Sequence, residues 1–181
     1  MADADKRHVP FALARALTWT AKDAQGVVQD DLPNRYTLRN NWVKNGIRIV
    51  PAKKDEPQAV VGSLEPFMKR QEEGGTKKAR DHSRVAVPVN ARRNKRNMIS
   101  KGQRPAALKG KPKIFMVTKG AGSGILRRVG KARYPLQLLY WLKRGVQVKP
   151  SFGFQANTST TVKDRFGPNF VESLAQAIAK G

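Results

Sequence analysis

The most apolar stretch of the chain is Leu136-Gln137-Leu138-Leu139-Tyr140-Trp141-Leu142, which carries no charge. A run of this length and composition favours a central β-strand. Upstream, residues 113–118 and 124–129 flank the glycine-rich segment 119–123, a pattern typical of a β-hairpin. Downstream, residues 145–148 provide another short strand. We therefore predict an antiparallel sheet with a β-hairpin arm.

Helices are predicted at both ends of the chain. Residues 6–28 and 154–180 carry apolar side chains at three- and four-residue spacing, which gives each segment one apolar face. Gly26 and the segment 30–33 predict the end of the first helix. The apolar positions are Val9, Leu13, Leu17, Ala21, Ala24 and Val28 in the first helix, and Val162, Phe166, Phe170, Leu174, Ala177 and Ile178 in the second.

The chain as a whole is predicted to form a single α+β domain, residues 1–181. An antiparallel sheet is flanked by the N- and C-terminal helices, and Leu138 and Trp141 are expected to pack against Phe166 and Leu174. The remaining short strands are predicted at residues 36–39, 46–50, 58–62 and 84–89, and a short helix at residues 65–73.

Positive charge is concentrated in the middle of the chain. The formal net charge is +23, and residues 77–133 hold 18 of the 36 Lys and Arg residues with a single acid, Asp81. Like charges at this density repel one another, so a polyanion that neutralises them is the simplest reason to keep them. Nucleic acid is the commonest polyanion. The alternative is a solvated loop that is basic only for solubility, a purpose that acids serve better.

The densest part of this segment is predicted to be a basic extended loop, residues 90–112. It has almost no apolar content and no periodicity, and a loop of this length in a compact domain is usually functional or disordered. The residues predicted to face nucleic acid are Arg92, Arg93, Lys95, Arg96, Lys101 and Arg104.

Groups suited to catalysis or to cofactor binding are scarce. The absence of cysteine excludes disulfides, zinc ribbons, iron–sulfur clusters and thiol catalysis. Of the two histidines, His8 lies at a helix start, and His82 stands between Asp81 and Ser83, whose side chains cannot converge on it. The segment 120–124 lacks the Lys-Ser/Thr pair that completes a phosphate-binding loop. We predict no enzyme activity, no catalytic residues, no metal and no cofactor.

Apolar runs in the sequence are too short for a membrane span. None approaches the roughly 20 residues that a transmembrane helix needs. Residues 1–5 are acidic, in contrast to the basic and then apolar order of a secretory signal. We expect the chain to be made and kept in a cytoplasm-like compartment, without a membrane partner.

Two stretches, residues 60–75 and residues 131–140, resemble a known family when taken with the N-terminal helix and the basic middle. They are similar to the minor tail proteins of long-tailed bacteriophages. The likeness is greatest to the tail-completion, or tail-to-head joining, group typified by the lambda minor tail protein Z. The resemblance spans residues 9–178.

The resemblance implies a virion structural protein at the neck or the top of the tail, assembled in the host cytoplasm. It implies a ring, expected to be a hexamer, whose lumen faces the genomic DNA without sequence specificity. Neighbouring connector, tail-terminator or tail-tube proteins would be its partners. Aromatic residues and flexible glycine segments suit such contacts, although Trp42, Phe67 and Met68 are also typical core residues. The residues predicted at subunit interfaces are Trp42, Phe67, Met68, Gly120, Gly122 and Gly124.

A second function class stays open at the level of the sequence. A free nucleic-acid-binding protein, ribosome- or nucleoid-associated, would also explain the basic composition. This hypothesis depends on charge alone, because the chain has no recognised nucleic-acid-binding motif and few aromatic residues among its cations.

Overall fold

The computed structural model of the chain describes residues 2–79, 84–118 and 122–179. Length and composition predict a single domain, whereas these residues form two compact units. Unit 1 comprises Met1–Gly74 and Lys149–Gly181, and unit 2 comprises Gly75–Val148. Each unit has a buried apolar cluster of its own.

The described elements alternate between helices and short strands. In chain order they are α1 (Ala2–Arg35), α2 (Trp42–Asn45), β1 (Ile47–Val50), β2 (Val60–Ser63), α3 (Pro66–Glu73), β3 (Gly75–Lys78), β4 (Val85–Pro88), a 3₁₀ helix (Lys101–Gln103), α4 (Pro105–Leu108), β5 (Ile114–Val117), β6 (Gly124–Arg128), β7 (Leu136–Lys143), β8 (Gly145–Val148) and α5 (Phe154–Ile178).

The α+β class predicted from the sequence is confirmed. All strand pairs are antiparallel, and they form a β1–β2 sheet, a β3–β8 sheet and a four-stranded sheet in the order β4-β7-β6-β5. Helices α1 and α5 stand at the two ends of the chain, as predicted. None of the helices in the described ranges combines the length and apolar character required to cross a bilayer.

Helix α1 extends beyond its predicted end. It passes through Gly26 and Pro33 and ends at Arg35, because Val28 and Leu32 are fully buried in the core of unit 1. Burying two such side chains stabilises the last turns by several kcal/mol. That gain exceeds the cost of about 1 kcal/mol for a glycine inside a helix. The predicted stop was therefore wrong.

Helices α1 and α5 pack through small and polar side chains. The Arg15 guanidinium donates to the Ser173 hydroxyl (2.9 Å) and carbonyl (2.8 Å). The Asn169 amide donates to the Thr20 hydroxyl (3.1 Å) and to the Asp23 carboxylate (3.0 Å). Alanines on α1 leave room for these contacts, since Ala12, Ala14, Ala16, Ala21 and Ala24 are all buried.

The apolar stripe predicted for α5 therefore shares only Ala177 with the buried residues of the helix. Phe166 and Leu174 are only half-buried, and Trp141 is exposed, so the predicted common core with Leu138 was wrong. The periodicity located the helix but not its buried face, because short polar side chains that find hydrogen-bond partners can be buried in place of larger apolar ones.

Asp31 connects α1 to α5 electrostatically. Its carboxylate pairs with Arg35 one turn along α1 and accepts a hydrogen bond from the Asn157 amide (2.7 Å). The hydrogen bond from Arg35, followed by that from Asn157, holds the pKa of Asp31 below its ordinary value of 3.8. The carboxylate therefore binds protons less readily in the folded state than in the unfolded one.

Acid is expected to remove the stabilisation that Asp31 contributes. A lowered folded-state pKa stabilises the fold above the unfolded-state value, and this contribution is lost as pH falls below about 4 through the folded-state pKa. Thermal unfolding of an Asp31→Asn variant should therefore differ most from wild type near neutral pH and least in acid, below the folded-state pKa. A difference that grows towards low pH would contradict the assignment.

The core of unit 1 places α3 against the start of α5. Met68 of α3 is buried in a cluster with Val28, Leu32, Ile47 and Phe152. Beside this cluster, the Glu72 carboxylate accepts hydrogen bonds from the backbone N–H groups of Phe154 (2.8 Å) and Gln155 (3.0 Å) and so caps α5.

Residues 36–39 were predicted as a strand, but they do not form one. The Tyr36 N–H instead donates to the Leu32 carbonyl (2.9 Å), which extends the helical turn.

The sheet of unit 2 confirms the predicted central strand and hairpin. Strand β7 lies between β4 and β6, with an irregularity opposite Ile125 and Leu126. The β5–β6 hairpin is an integral edge of this sheet rather than a separate arm, and its tip, residues 119–121, lies outside the described residues. Strand β4 forms the other edge and ends at Pro88, as its proline predicts.

Candidate nucleic-acid interface

Positive charge is divided very unequally between the two units. Residues 75–148 hold 20 of the 36 Lys and Arg residues and one of the 13 acids. The single acid is Asp81, which lies outside the described residues. Unit 1 holds the other 12 acids, and the ion pairs of Lys44 with Asp30 and of Arg165 with Asp23 belong to it. Unit 2 is therefore a strongly cationic body with almost no internal neutralisation.

A hydrogen-bonded turn presents the densest group of cations. Arg93 forms an antiparallel bridge with Ile99, and the Asn94 N–H donates to the Met98 carbonyl (2.8 Å). The Asn94 side-chain oxygen accepts two backbone N–H groups, the closer from Met98 at 2.9 Å. Asn97 has a φ of 56°, a left-handed conformation that asparagine tolerates. The turn therefore has a defined backbone geometry.

The basic loop is packed onto the sheet by its few apolar residues. Ala91, Ile99 and Leu108 belong to the core cluster of unit 2, where they meet Ile125 and Tyr140. The sequence predicts a basic extended loop with almost no apolar content, and the structure shows that three of its few apolar side chains pack in the core. These three side chains are eight and nine residues apart, so no periodicity identifies them. Their burial leaves the cations between them on the outside.

Tyr140 fixes the same loop by a polar contact. Its hydroxyl donates to the Gln103 carbonyl at 2.7 Å. Burial raises the pKa of Tyr140, and the positive charge of Arg93 offsets part of this effect. Arg93 is thus close enough to the phenol to act on it electrostatically. The phenol remains a hydrogen-bond donor through the physiological pH range and holds the 3₁₀ helix in place.

All six residues predicted to face nucleic acid have exposed side chains. Four of them, Arg92, Arg93, Lys95 and Arg96, lie in or beside the Asn94 turn, and the structure brings these together. Lys101 begins the 3₁₀ helix and Arg104 precedes α4, so these two lie further along the loop. Exposed cations on flexible side chains suit contacts with phosphates better than contacts with bases, because no described helix here is arranged to enter a groove of the DNA.

Two pairs of a cation and an aromatic ring also lie in unit 2 and were missed in the sequence. The Arg128 guanidinium lies 5.8 Å from the Phe115 ring centroid, and that of Arg133 lies 5.8 Å from the Tyr134 ring centroid. Tyr134 is 64% exposed. The adjacent Arg133 and Tyr134 are visible in the sequence, but the pairing of Arg128 with Phe115 depends on the hairpin register.

Of the described residues predicted at subunit interfaces, three are exposed and two are buried. Trp42 and Phe67 are 57% and 41% exposed, and their ring centroids lie 5.9 Å apart. Gly122 is exposed, and Gly120 lies outside the described residues. Met68, at 2% exposure, is a core residue, and its prediction as an interface residue was wrong.

Gly124 is a second correction to the predicted interface. It is buried in β6, where an added Cβ would lie 2.6 Å from the Leu138 side chain and 2.7 Å from the Tyr140 carbonyl oxygen. A side chain at this position would clash with the neighbouring strand, so Gly124 allows the close approach of β7 to β6. It is not available to a partner.

In the described ranges, no group of three or more His, Asp or Glu side chains is placed to hold a metal ion. His8 is half-buried on α1, and Asp81, His82 and Ser83 lie outside the described residues. Glu72 and Asp31 are each engaged in the structural contacts described above.

Comparison with known proteins identified no relative of this chain. No protein-family model, no curated protein and no solved structure matches this chain.

Proposed function

We propose that this protein is a structural component of the neck or the top of the tail of a long-tailed bacteriophage. In this proposal a ring of its subunits completes the tail and joins it to the head. Unit 2 carries the surface that meets genomic DNA, and unit 1 carries contacts to neighbouring subunits and neck proteins. The observation that carries the proposal is the exposed Trp42–Phe67 ring pair of unit 1, in a chain whose other unit holds most of the positive charge.

The cationic surface of unit 2 suits DNA that moves past the protein. Exposed Arg and Lys side chains attract phosphates at any sequence, and each neutralised phosphate releases counterions. The Asn94 turn offers four such side chains on an ordered backbone. A contact of this kind holds DNA without requiring a particular base, which is what a passage for a whole genome needs.

Unit 1 offers apolar surface for assembly. The paired Trp42 and Phe67 rings are accompanied by Leu64, which is 67% exposed, on the chain between β2 and α3. Val50 and Val60, directly opposite one another at the end of the β1–β2 hairpin, are exposed as well. Exposed apolar groups of this kind are typical of protein interaction sites.

Assembly of the purified protein tests the proposal. Light scattering and negative-stain microscopy, with and without linear double-stranded DNA, should show rings or ring-forming oligomers. Replacing both Trp42 and Phe67 by Ser should leave a folded protein that no longer assembles, because the aromatic anchors of the interface are lost. Replacing Val171 and Ile178 of α5, which are even more exposed, by Ser is the matched control and should leave assembly intact.

A free nucleic-acid-binding protein is the alternative that the same experiment distinguishes. The charge of unit 2 favours it as much as it favours the neck protein. A wild-type protein that stays monomeric under all these conditions and binds RNA tightly would support the alternative and contradict the proposed assembly role.

A further inference from the structure

The outer edge of β5 is an unprotected sheet edge. Strand β5 is the last strand of the four-stranded sheet, and its residues Ile114–Val117 include no charge, no proline and no bulge. Natural proteins usually block such an edge with one of these features. The opposite edge follows that rule, because β4 ends at Pro88. Met116 and Val117 are 46% and 37% exposed.

The alternation of hydrogen-bonded and non-hydrogen-bonded pairs along the β5–β6 hairpin shows which backbone groups of β5 face outward. The Arg128 N–H donates to the Lys113 carbonyl at 2.9 Å, so residues 113 and 128 form a hydrogen-bonded pair. Antiparallel pairs alternate between hydrogen-bonded and non-hydrogen-bonded. Ile114 and Met116 are therefore in non-bonded pairs with β6, and their backbone groups point away from the sheet.

One of these outward groups is already used, and the others are available to a partner. The Ile114 N–H donates to the Lys111 carbonyl (3.2 Å). The Ile114 carbonyl and both the N–H and the carbonyl of Met116 face the open edge, where the strand order places no further described strand. Together they provide the spacing at which an added antiparallel strand forms its own pairs of hydrogen bonds.

Charge determines which strand fits this edge. Lys111 and Lys113 precede β5, Arg127 and Arg128 lie on the adjacent strand, and all four are exposed. A second copy that paired edge to edge would bring two strongly cationic units against one another, and their mutual repulsion disfavours that pairing. A strand with carboxylates at its ends and apolar residues at alternate positions would pair with these cations and cover Met116 or Val117.

We propose that the outer edge of β5 binds an extended, acidic-flanked segment of a partner protein as an added antiparallel strand. The inference deepens the assembly part of the proposed function and rests on it for the partner being a neighbouring virion protein. The added strand extends the four-stranded sheet by one strand.

A synthetic peptide and two matched proline variants test the proposal. The probe is acetyl-Glu-Glu-Thr-Val-Thr-Val-Thr-Glu-Glu-amide, titrated into the ¹⁵N-labelled full-length protein. Met116→Pro removes an outward N–H without removing a β5–β6 hydrogen bond. Ala86→Pro is the control on the other edge, because its partner Leu142 donates to the Ser123 carbonyl (2.9 Å) and so faces β6.

The expected result is a set of amide shifts centred on residues 114–118. Affinity should fall at least tenfold in Met116→Pro, because the donor is lost and a peptide carbonyl is left unsatisfied, and it should be unchanged in Ala86→Pro. The same peptide with Lys in place of Glu should bind at least tenfold more weakly. A peptide methylated on alternate amide nitrogens should also lose binding, which tests the edge without altering the protein.

Other outcomes overturn the proposal. No binding of the acidic peptide, shifts centred elsewhere, or equal binding by the methylated peptide would each exclude strand addition at β5. Self-association that Met116→Pro abolishes would identify a second copy as the occupant, and shifts of residues 114–118 by DNA would identify nucleic acid. Failure of the proposed function is separate, since it is measured by ring formation of the wild-type protein without the peptide.

Discussion

Replacing Arg92, Arg93, Lys95 and Arg96 by Gln should weaken binding to double-stranded DNA on the order of 10²–10³-fold at physiological salt. The four side chains are exposed and lie in or beside the turn that Asn94 organises. Each phosphate contact that is lost removes about 0.9 from the slope of log affinity against log salt. The slope should therefore become shallower by about 3–4, as measured by fluorescence anisotropy between 50 and 200 mM salt.

The control variant carries the same charge change in unit 1. Lys53, Lys54, Lys69 and Arg70 are exposed, and replacing them by Gln should change DNA affinity far less. Both variants should melt close to wild type, because surface substitutions of this kind usually alter stability by less than about 0.5 kcal/mol. A quadruple variant of the turn that keeps the full salt slope would show that these cations do not meet phosphates.

Replacing Leu108 by Ala should destabilise unit 2 by about 2–5 kcal/mol. Leu108 is 1% exposed and packs in the cluster that contains Ile125 and Tyr140, so its truncation leaves a cavity between the loop and the sheet. Chemical denaturation monitored by tryptophan fluorescence would measure the effect, since Trp141 lies on the strand that carries Tyr140.

The neighbouring Lys109 provides the comparison for Leu108. Its side chain is exposed, and Lys109→Ala should leave the unfolding free energy nearly unchanged. If Leu108→Ala unfolds at the wild-type denaturant concentration, then the basic loop does not contribute to the core, and the anchoring of the Asn94 turn must come from polar contacts alone.

The sequence predicted those parts of the fold in which apolar residues are continuous or strictly periodic. Strand β7 was identified by its uninterrupted apolar run, and the β5–β6 hairpin by two such runs around a glycine-rich turn. The predicted cations of the basic loop are all exposed, because nothing in unit 2 could bury so many like charges.

Local sequence pattern could not predict the contacts between segments that are far apart in the sequence. Leu108 reaches the core from a loop without periodicity, and Ser173 is buried because Arg15, far away in sequence, donates to it. Phe67 and Met68 are adjacent in sequence, and only the packing of α3 shows that Phe67 faces solvent whereas Met68 is buried in the core. Such differences arise from tertiary burial, which propensity does not encode.

The insertion of unit 2 between the two segments of unit 1 determines the order in which the units can fold during synthesis. Gly75 and Val148, the first and last residues of unit 2, are directly paired in the β3–β8 sheet. Unit 2 can therefore complete its fold as soon as β8 has been synthesised, whereas unit 1 must wait for α5.

Until α5 is made, the alanine face of α1 and the Arg15 guanidinium lack the partners that Ser173 later supplies. Once unit 2 has folded, Gly75 and Val148 lie side by side, so the insertion separates the two segments of unit 1 no more than a short turn would. The loss of chain entropy when these two segments come together is therefore small. The nascent chain thus acquires its strongly cationic unit before its terminal helices can pack against each other.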